Sequence, residues 1–238
     1  MRILIGAPVR QDEMTFKLYL DSLKALNTEG LEVEFLFLLH GSEHLIKYLE
    51  PHQYLGVTPG SEYKRDDITH HWTNENLAAV TYMKNRLLFE ASAFDAFFLV
   101  DSDIILHPET LQQLVKADKP IVSNVFWTKW QPDEAEMPNA WNYDHYSFLP
   151  GELERWREPG IYPVGMSGAC ILIKREVILA GVNYSPIYNV SHSLWEDRAF
   201  CIRAACAGFQ IYMDTTYPAK HLYRESDIQE VLNSEIPS

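Results

Sequence analysis

Apolar residues follow two rhythms along this chain. Short, nearly continuous runs, at Arg2 to Ala7, Leu31 to Leu39, Phe97 to Val100 and Pro120 to Phe126, read as strands buried on both faces of a sheet. Between them the spacing becomes helical. Phe16, Tyr19, Leu20, Leu23 and Leu26 share one stripe, with Gly30 as the stop, and a short helix is predicted around Glu43 to Leu49. Gly56 to Thr73 reads as a loop carrying the charged stretch YKRDD. Leu77, Val80, Met83, Leu87, Leu88 and Ala91 form the next helical stripe, capped at Thr73 or Asn74. His107-Pro108-Glu109 begins another helix. Strands alternating with helices in this way predict an α/β fold built on a mostly parallel sheet.

The second half changes character. Residues 127–163 hold Trp127, Trp130, Trp141 and Trp156 together with Tyr143, Tyr146 and Phe148. So long an irregular connection is usually functional or disordered, and its aromatic content speaks against plain disorder. A strand is predicted from Val164 to Ile173, a helix from Trp195 to Ala207 stopped by Gly208, and a short strand from Phe209 to Met213. With no internal repeat or low-complexity linker, the 238 residues read as one domain.

Composition narrows the function. Hydrophobic residues make up 47% and charged residues 22%, an ordinary globular balance. The net charge of −13 argues against nucleic-acid or anionic-membrane partners, which require basic patches. The opening MRILIGAPVR turns polar too soon for a signal peptide, and no apolar run approaches the ~18–20 residues of a membrane span. Cys170, Cys201 and Cys206 form no CxxC pair, so a disulfide framework or zinc site is not expected. The expectation is a cytoplasmic, reduced protein.

The densest chemistry lies in FFLVDSDIIL, where a buried strand runs into Asp101-Ser102-Asp103. Side chains two apart on a strand point the same way, so the two carboxylates are expected side by side at its carboxyl end, where α/β sheets bind ligands. A plain capping turn would use the same residues. If they bind a cation, oxygen ligands suit Mg²⁺ or Mn²⁺ held partly through a substrate's phosphates. In SLWEDRAF, Ser193 and Glu196 have capping-box spacing, which leaves Asp197 as the carboxylate free for chemistry and Glu196 to hold the helix start or orient an acceptor. His221 is a natural further ligand for a metal already held by a carboxylate and a diphosphate, with His70-His71 as a competing pair. Arg10, Lys64, Arg65, Lys84 and Arg86 could meet phosphate, although each alone reads as a solvated surface charge.

The order APVR, KNR, DSD, VGMSGACILIKRE, WEDRAFCIRAACAGF and a tail histidine resembles the glycosyltransferases of the GT-A fold, especially the inverting family-2 type. That resemblance, over residues 2–222, implies a single-domain Rossmann-like α/β/α sandwich. Residues 1–103 would form a nucleotide-binding half and 104–238 an acceptor half with an aromatic insertion at 127–163. It implies a UDP- or GDP-sugar donor, a hydroxyl acceptor such as a glycan, and a Mn²⁺ or Mg²⁺ cofactor. Asp103 would ligate the metal, and Asp101 would contact it through water or contact the ribose, with Ser102 between them at the donor. His221 would complete the metal site, and Asp197 would be the base of an ED pair with Glu196. Ala7, Pro8, Arg10 and Arg86 would face the nucleotide, and Gly168 and Ala169 would form the small turn beside the sugar. The place after the second strand, where the family often has an acid, reads Leu39-His40-Gly41-Ser42, which leaves the base open.

Three other readings use the same residues. A retaining GT-A transferase would differ in product anomer. A binding module could keep the fold without the chemistry. A haloacid-dehalogenase-like phosphatase would use Asp101 as nucleophile, but that fold carries its DxD on the first strand, and here several elements precede it.

Overall fold

In the computed structural model, alternate residues of the central strands enter two separate apolar cores. The structure describes residues 1–58, 64–65, 70–143, 147–188 and 195–234. Strand β1 (Arg2–Val9) sends Ile3, Ile5, Ala7 and Val9 to one core and Leu4 to the other; β6 (Ala96–Val100) divides Phe98 and Val100 from Phe97 and Leu99. A period of two with apolar groups on both sides is what a sheet covered on both faces requires.

The main path of that sheet is β11-β14-β8-β13-β6-β1-β2-β3. Its other members are β2 (Glu32–His40), β3 (Tyr54–Thr58), β8 (Ile121–Thr128), β11 (Ile161–Val164), β13 (Cys170–Lys174) and β14 (Ile211–His221). Strands β1, β2, β3, β6, β8 and β14 run one way, and β13 and β11 run against them, giving a mixed, mostly parallel sheet. Two short strands complete its ten: β7 (Ile104–Ile105) on β14, and β9 (Met137–Pro138) on β8. Helices α1 (Glu13–Lys24) and α3 (Thr110–Ala117) contribute to the first core, with a 3-10 turn at Glu43–Tyr48. Helices α2 (Asn74–Ala91), α5 (Arg175–Leu179) and α6 (Glu196–Cys206) contribute to the second. Asp12 caps α1 by accepting from Thr15 N at 2.9 Å, and Thr73 caps α2 by accepting from Asn76 N.

Several predicted elements differ. Residues 56–73, expected as a loop, include the end of β3 and a two-residue ladder of β4 (Lys64–Arg65) with β5 (His70–His71). The side chains of those four residues lie outside the described set, so their expected roles go unplaced. The single strand expected over 164–173 is three pieces: β11, β12 (Met166–Ser167) and β13. Gly165 lies between the first two pieces, where only glycine fits, because a Cβ there would lie 2.2 Å from Asn142 O. The aromatic insertion folds into β9, β10 (Ala140–Trp141), the short helix α4 (Glu152–Arg155) and β11; Trp156 is fully buried and meets Phe148 edge-on. Helix α6 begins at Glu196 with Trp195 as its N-cap, so Glu196 is not the third residue of a capping box, and Ser193 lies outside the described residues. Finally, β14 runs eleven residues, well past Met213, and α7 (Glu225–Ser234) follows it.

Candidate functional site

One edge of the sheet gathers the chemistry. It carries the carboxyl ends of β1, β6, β8 and β14 and, because β13 runs backwards, the amino end of β13. A cavity of about 730 Å³ opens there, toward the upper part of the ~300–1,000 Å³ range of small-molecule sites. Of the residues picked out from sequence, Pro8, Arg10, Asp101, Ser102, Asp103, Gly168, Ala169, Glu196, Asp197 and His221 line it.

Strand β6 stops at Val100, whose carbonyl accepts from the buried Tyr19 hydroxyl at 2.8 Å. The chain then turns, with Ile104 N donating to Asp101 O at 3.0 Å. The two aspartates therefore do not stand side by side as on a continuing strand. Asp103 faces His221, with Oδ2 3.6 Å from Nε2. Asp101 faces the other way, with Oδ2 3.8 Å from Lys84 Nζ. Asp103 and His221 meet because β7, directly after the turn, pairs with the end of β14: His221 lies opposite Ile104, and Leu222 N donates to Asp103 O at 2.8 Å. His221 Nδ1 is 2.8 Å from Thr128 Oγ1 at the end of β8, so the ring is held by one nitrogen and presents the other to the cavity.

Lys84 is the residue that sequence reasoning misjudged. Its side chain is only 1% exposed, and its ammonium contacts Glu196 Oε1 at 2.8 Å and Asp197 Oδ1 at 2.9 Å as well as Asp101. Burial alone would push the lysine down, but Asp101, Asp197 and Glu196 around it hold it well above its usual range. It stays charged and ties helix α2 to both acidic segments. Arg86, the expected basic residue of that helix, points away: it pairs with Glu90 one turn on and covers Phe89, outside the cavity. Positions two apart on a helix, such as 84 and 86, differ by about 200°, so only one of the two can face the sheet edge.

One lysine faces more carboxylate than it can neutralise. Burial, opposed by Lys84 and reinforced by Asp197, Asp103 and Glu196, pushes Asp101 up to about 8. Burial pushes Asp197 up to about 6; Lys84 resists the shift and Glu196 adds to it. Asp197 remains 25% exposed and Asp101 32%, whereas Glu196 is 9% exposed. Glu196 is thus committed to Lys84, and Asp197 gives it one oxygen while keeping access to the cavity.

The Gly168-Ala169 turn fits around that carboxylate. A Cβ on Gly168 would lie 2.3 Å from Asp197 Oδ2, the oxygen not held by Lys84. Ala169 takes a left-handed backbone, φ 66°, costing about 1–2 kcal/mol. In that conformation its carbonyl accepts from Asp101 N at 2.6 Å. Asn139, unremarked in the sequence, braces the turn: its Nδ2 donates to Gly168 O and Asn124 O, each at 3.1 Å, and its Oδ1 accepts from Phe126 N.

Ala7 is fully buried in β1, one residue inside the cavity rim. Arg10 lines the cavity and donates to Asn76 Oδ1 at 3.0 Å. His40, where the base-reading acid was missing, is buried and lines the cavity. Burial and Arg10 hold it below the usual histidine range. Among the described residues, no group of three or more His, Cys, Asp or Glu side chains is disposed to hold a metal unaided. Among them, too, no helix is long and apolar enough to cross a membrane.

Solved structures share this architecture, A197 from STIV and TarS of S. aureus among them. A197 from STIV matches with a TM-score of 0.52 at 13% identity, over 94% of this chain and 87% of that one. TarS of S. aureus matches with a TM-score of 0.56 at 13% identity, over 98% of this chain and 39% of that one, so the chain spans well under half of TarS. No family profile matches the sequence, and no curated protein does. At this identity the likeness concerns the fold alone, and that fold is GT-A-like.

Proposed function

We propose that the chain is a glycosyltransferase that moves a sugar from a nucleoside-diphosphate donor to a hydroxyl acceptor with inversion, using Asp197 as the base. One observation carries the reading. On a GT-A-like fold, a partly exposed carboxylate held by a buried lysine shares one cavity with an aspartate–histidine pair. Asp103 and His221 supply one oxygen and one nitrogen ligand, too few to hold a metal unaided but suited to Mn²⁺ or Mg²⁺ whose remaining positions are filled by a diphosphate and water. Bound there, the cation would supply Lewis-acid stabilisation of the charge developing on the departing diphosphate. Arg10, at the end of β1, supports the same reading as a cationic side chain on the donor side.

The residues of the chain then divide the work. Asp197 Oδ2 accepts the proton of the acceptor hydroxyl as that oxygen bonds to the anomeric carbon. The bond from that carbon to the diphosphate breaks, and its electron pair leaves with the nucleotide. Lys84 holds one oxygen of the carboxylate, Gly168 leaves room for the other, and Glu196 pairs with the same lysine. Asp197→Asn tests the assignment: donor affinity should persist while transfer falls at least ~100-fold. Near-normal turnover would remove Asp197 from the role, and product of retained configuration would remove inversion.

A further inference from the structure

Beside Asp197 the cavity wall is apolar. Met83 of α2, Met166 ahead of the Gly168 turn, Trp141 and Phe148 of the insertion, and Trp72 and Trp195 at the rim form this side of the chamber. Met83 and Met166 are buried; Trp72 and Trp195 are 44% and 41% exposed and stand edge to face, with ring centroids 6.1 Å apart. Exposed indole surface of this kind suits a flat ligand at little conformational cost.

A sugar selected by its hydroxyls needs polar groups converging on them. On this side, among the described residues, the polar side chains have other work. Asn139 spends its oxygen and its NH₂ on Phe126 N, Asn124 O and Gly168 O. Asn76 accepts from Arg10, and Glu196 pairs with Lys84. Among the described residues, what this wall offers a ligand is mostly carbon, with the carboxylates of Asp197 and Asp101 at its edge.

Resting on the transferase reading, we infer that the acceptor is a small hydroxyl compound whose hydroxyl lies on or beside a flat apolar ring, such as an aryl glycoside or a phenol, rather than an underivatised glycan. The ring would lie against the tryptophans and methionines, and the hydroxyl would face Asp197 Oδ2. An apolar ring entering at the mouth would cover exposed indole surface of Trp72 and Trp195 and lose water on the face turned toward them.

The test measures binding by tryptophan fluorescence, with phenyl and methyl glycosides of glucose, galactose and N-acetylglucosamine, on wild type, Trp72→Ala and Trp195→Ala. Both tryptophans are exposed enough for their loss to leave the fold intact, which circular dichroism would verify. At least one phenyl glycoside should bind ten times or more tighter than its methyl counterpart, and either substitution should reduce that preference at least threefold. Equal binding of phenyl and methyl forms, or a preference indifferent to both substitutions, would overturn the inference. A parallel titration with UDP and GDP in Mn²⁺ separates the two levels. Nucleotide binding without aryl preference would sink only the acceptor class. Aryl preference without nucleotide binding would sink the transferase reading, and the acceptor assignment with it.

Discussion

Replacing Lys84 with methionine would leave three carboxylates around an apolar side chain. The substitution keeps the length of the buried stem and deletes only the charge. Removing one partner of a buried ion pair costs roughly 3–5 kcal/mol. Two of the three carboxylates keep a quarter to a third of their exposure, so the lower figure applies, about 3 kcal/mol. For a chain of 238 residues that is a fall in Tm of roughly 6–12 °C. The sign with pH is fixed by Asp101 and Asp197, already raised to about 8 and about 6. Without Lys84 both rise further above their unfolded value near ~4. A group raised on folding contributes stability that is present below its unfolded value and is lost as pH rises through the folded one. The gap between variant and wild type should therefore close below about pH 5 and widen as pH rises through about 6 and 8. Differential scanning calorimetry across that range reads it. The double variant Lys84→Met/Glu196→Gln, which also neutralises the most buried partner, should recover part of the loss. A drop of less than about 2 °C at pH 8, or a gap independent of pH, would refute the charge argument.

Other predictions concern the same edge. Gly168→Ala places a methyl 2.3 Å from Asp197 Oδ2 and should cost transfer at least ~10-fold, because an ångström of misplacement at the reacting group is expensive; kcat unchanged in steady-state assays would contradict this. Transfer should fall tenfold per pH unit below about 6, as Asp197 takes up its proton, and an acid limb near pH 4 in the kcat profile would count against it. Asp197→Asn removes one of the carboxylates crowding Lys84, so chemical denaturation should find the variant at least as stable as wild type at pH 8, with any advantage gone by pH 4. A variant less stable at pH 8 would mean that Lys84 needs both acids of α6.

Much of this arrangement was legible because local signals and the fold agreed. The apolar runs of β1 and β6 and the acids at the end of β6 mark the sheet edge in the sequence itself. Lys84 was legible too, had its register been weighed above its charge: it lies four residues after Val80 and four before Leu88, on the apolar stripe of α2, whereas Arg86 lies outside that stripe. The reach of β14 past Met213 is not marked in the sequence, where Pro218 disfavours a continuing strand. The strand absorbs it where the pairing with β8 shifts register between Asp214 and Ala219, an irregularity of the kind in which a proline is tolerated. The opposite facings of Asp101 and Asp103 could not be read at all. They depend on a turn held by Ala169 and by β14, segments about 70 and 120 residues away.

The central claim is that Asp103 and His221 bind a nucleoside diphosphate through a divalent cation. Its most direct test is the melting temperature of wild type and Asp103→Ala with UDP, GDP, CDP and ADP, each in Mn²⁺ and in EDTA. A nucleotide at 100 times its dissociation constant should add about 2.7 kcal/mol, or roughly 5–10 °C. The account predicts such a shift with one nucleotide, in Mn²⁺ and not in EDTA, and its loss in Asp103→Ala. A shift that survives EDTA or Asp103→Ala, or none with any nucleotide, would contradict it.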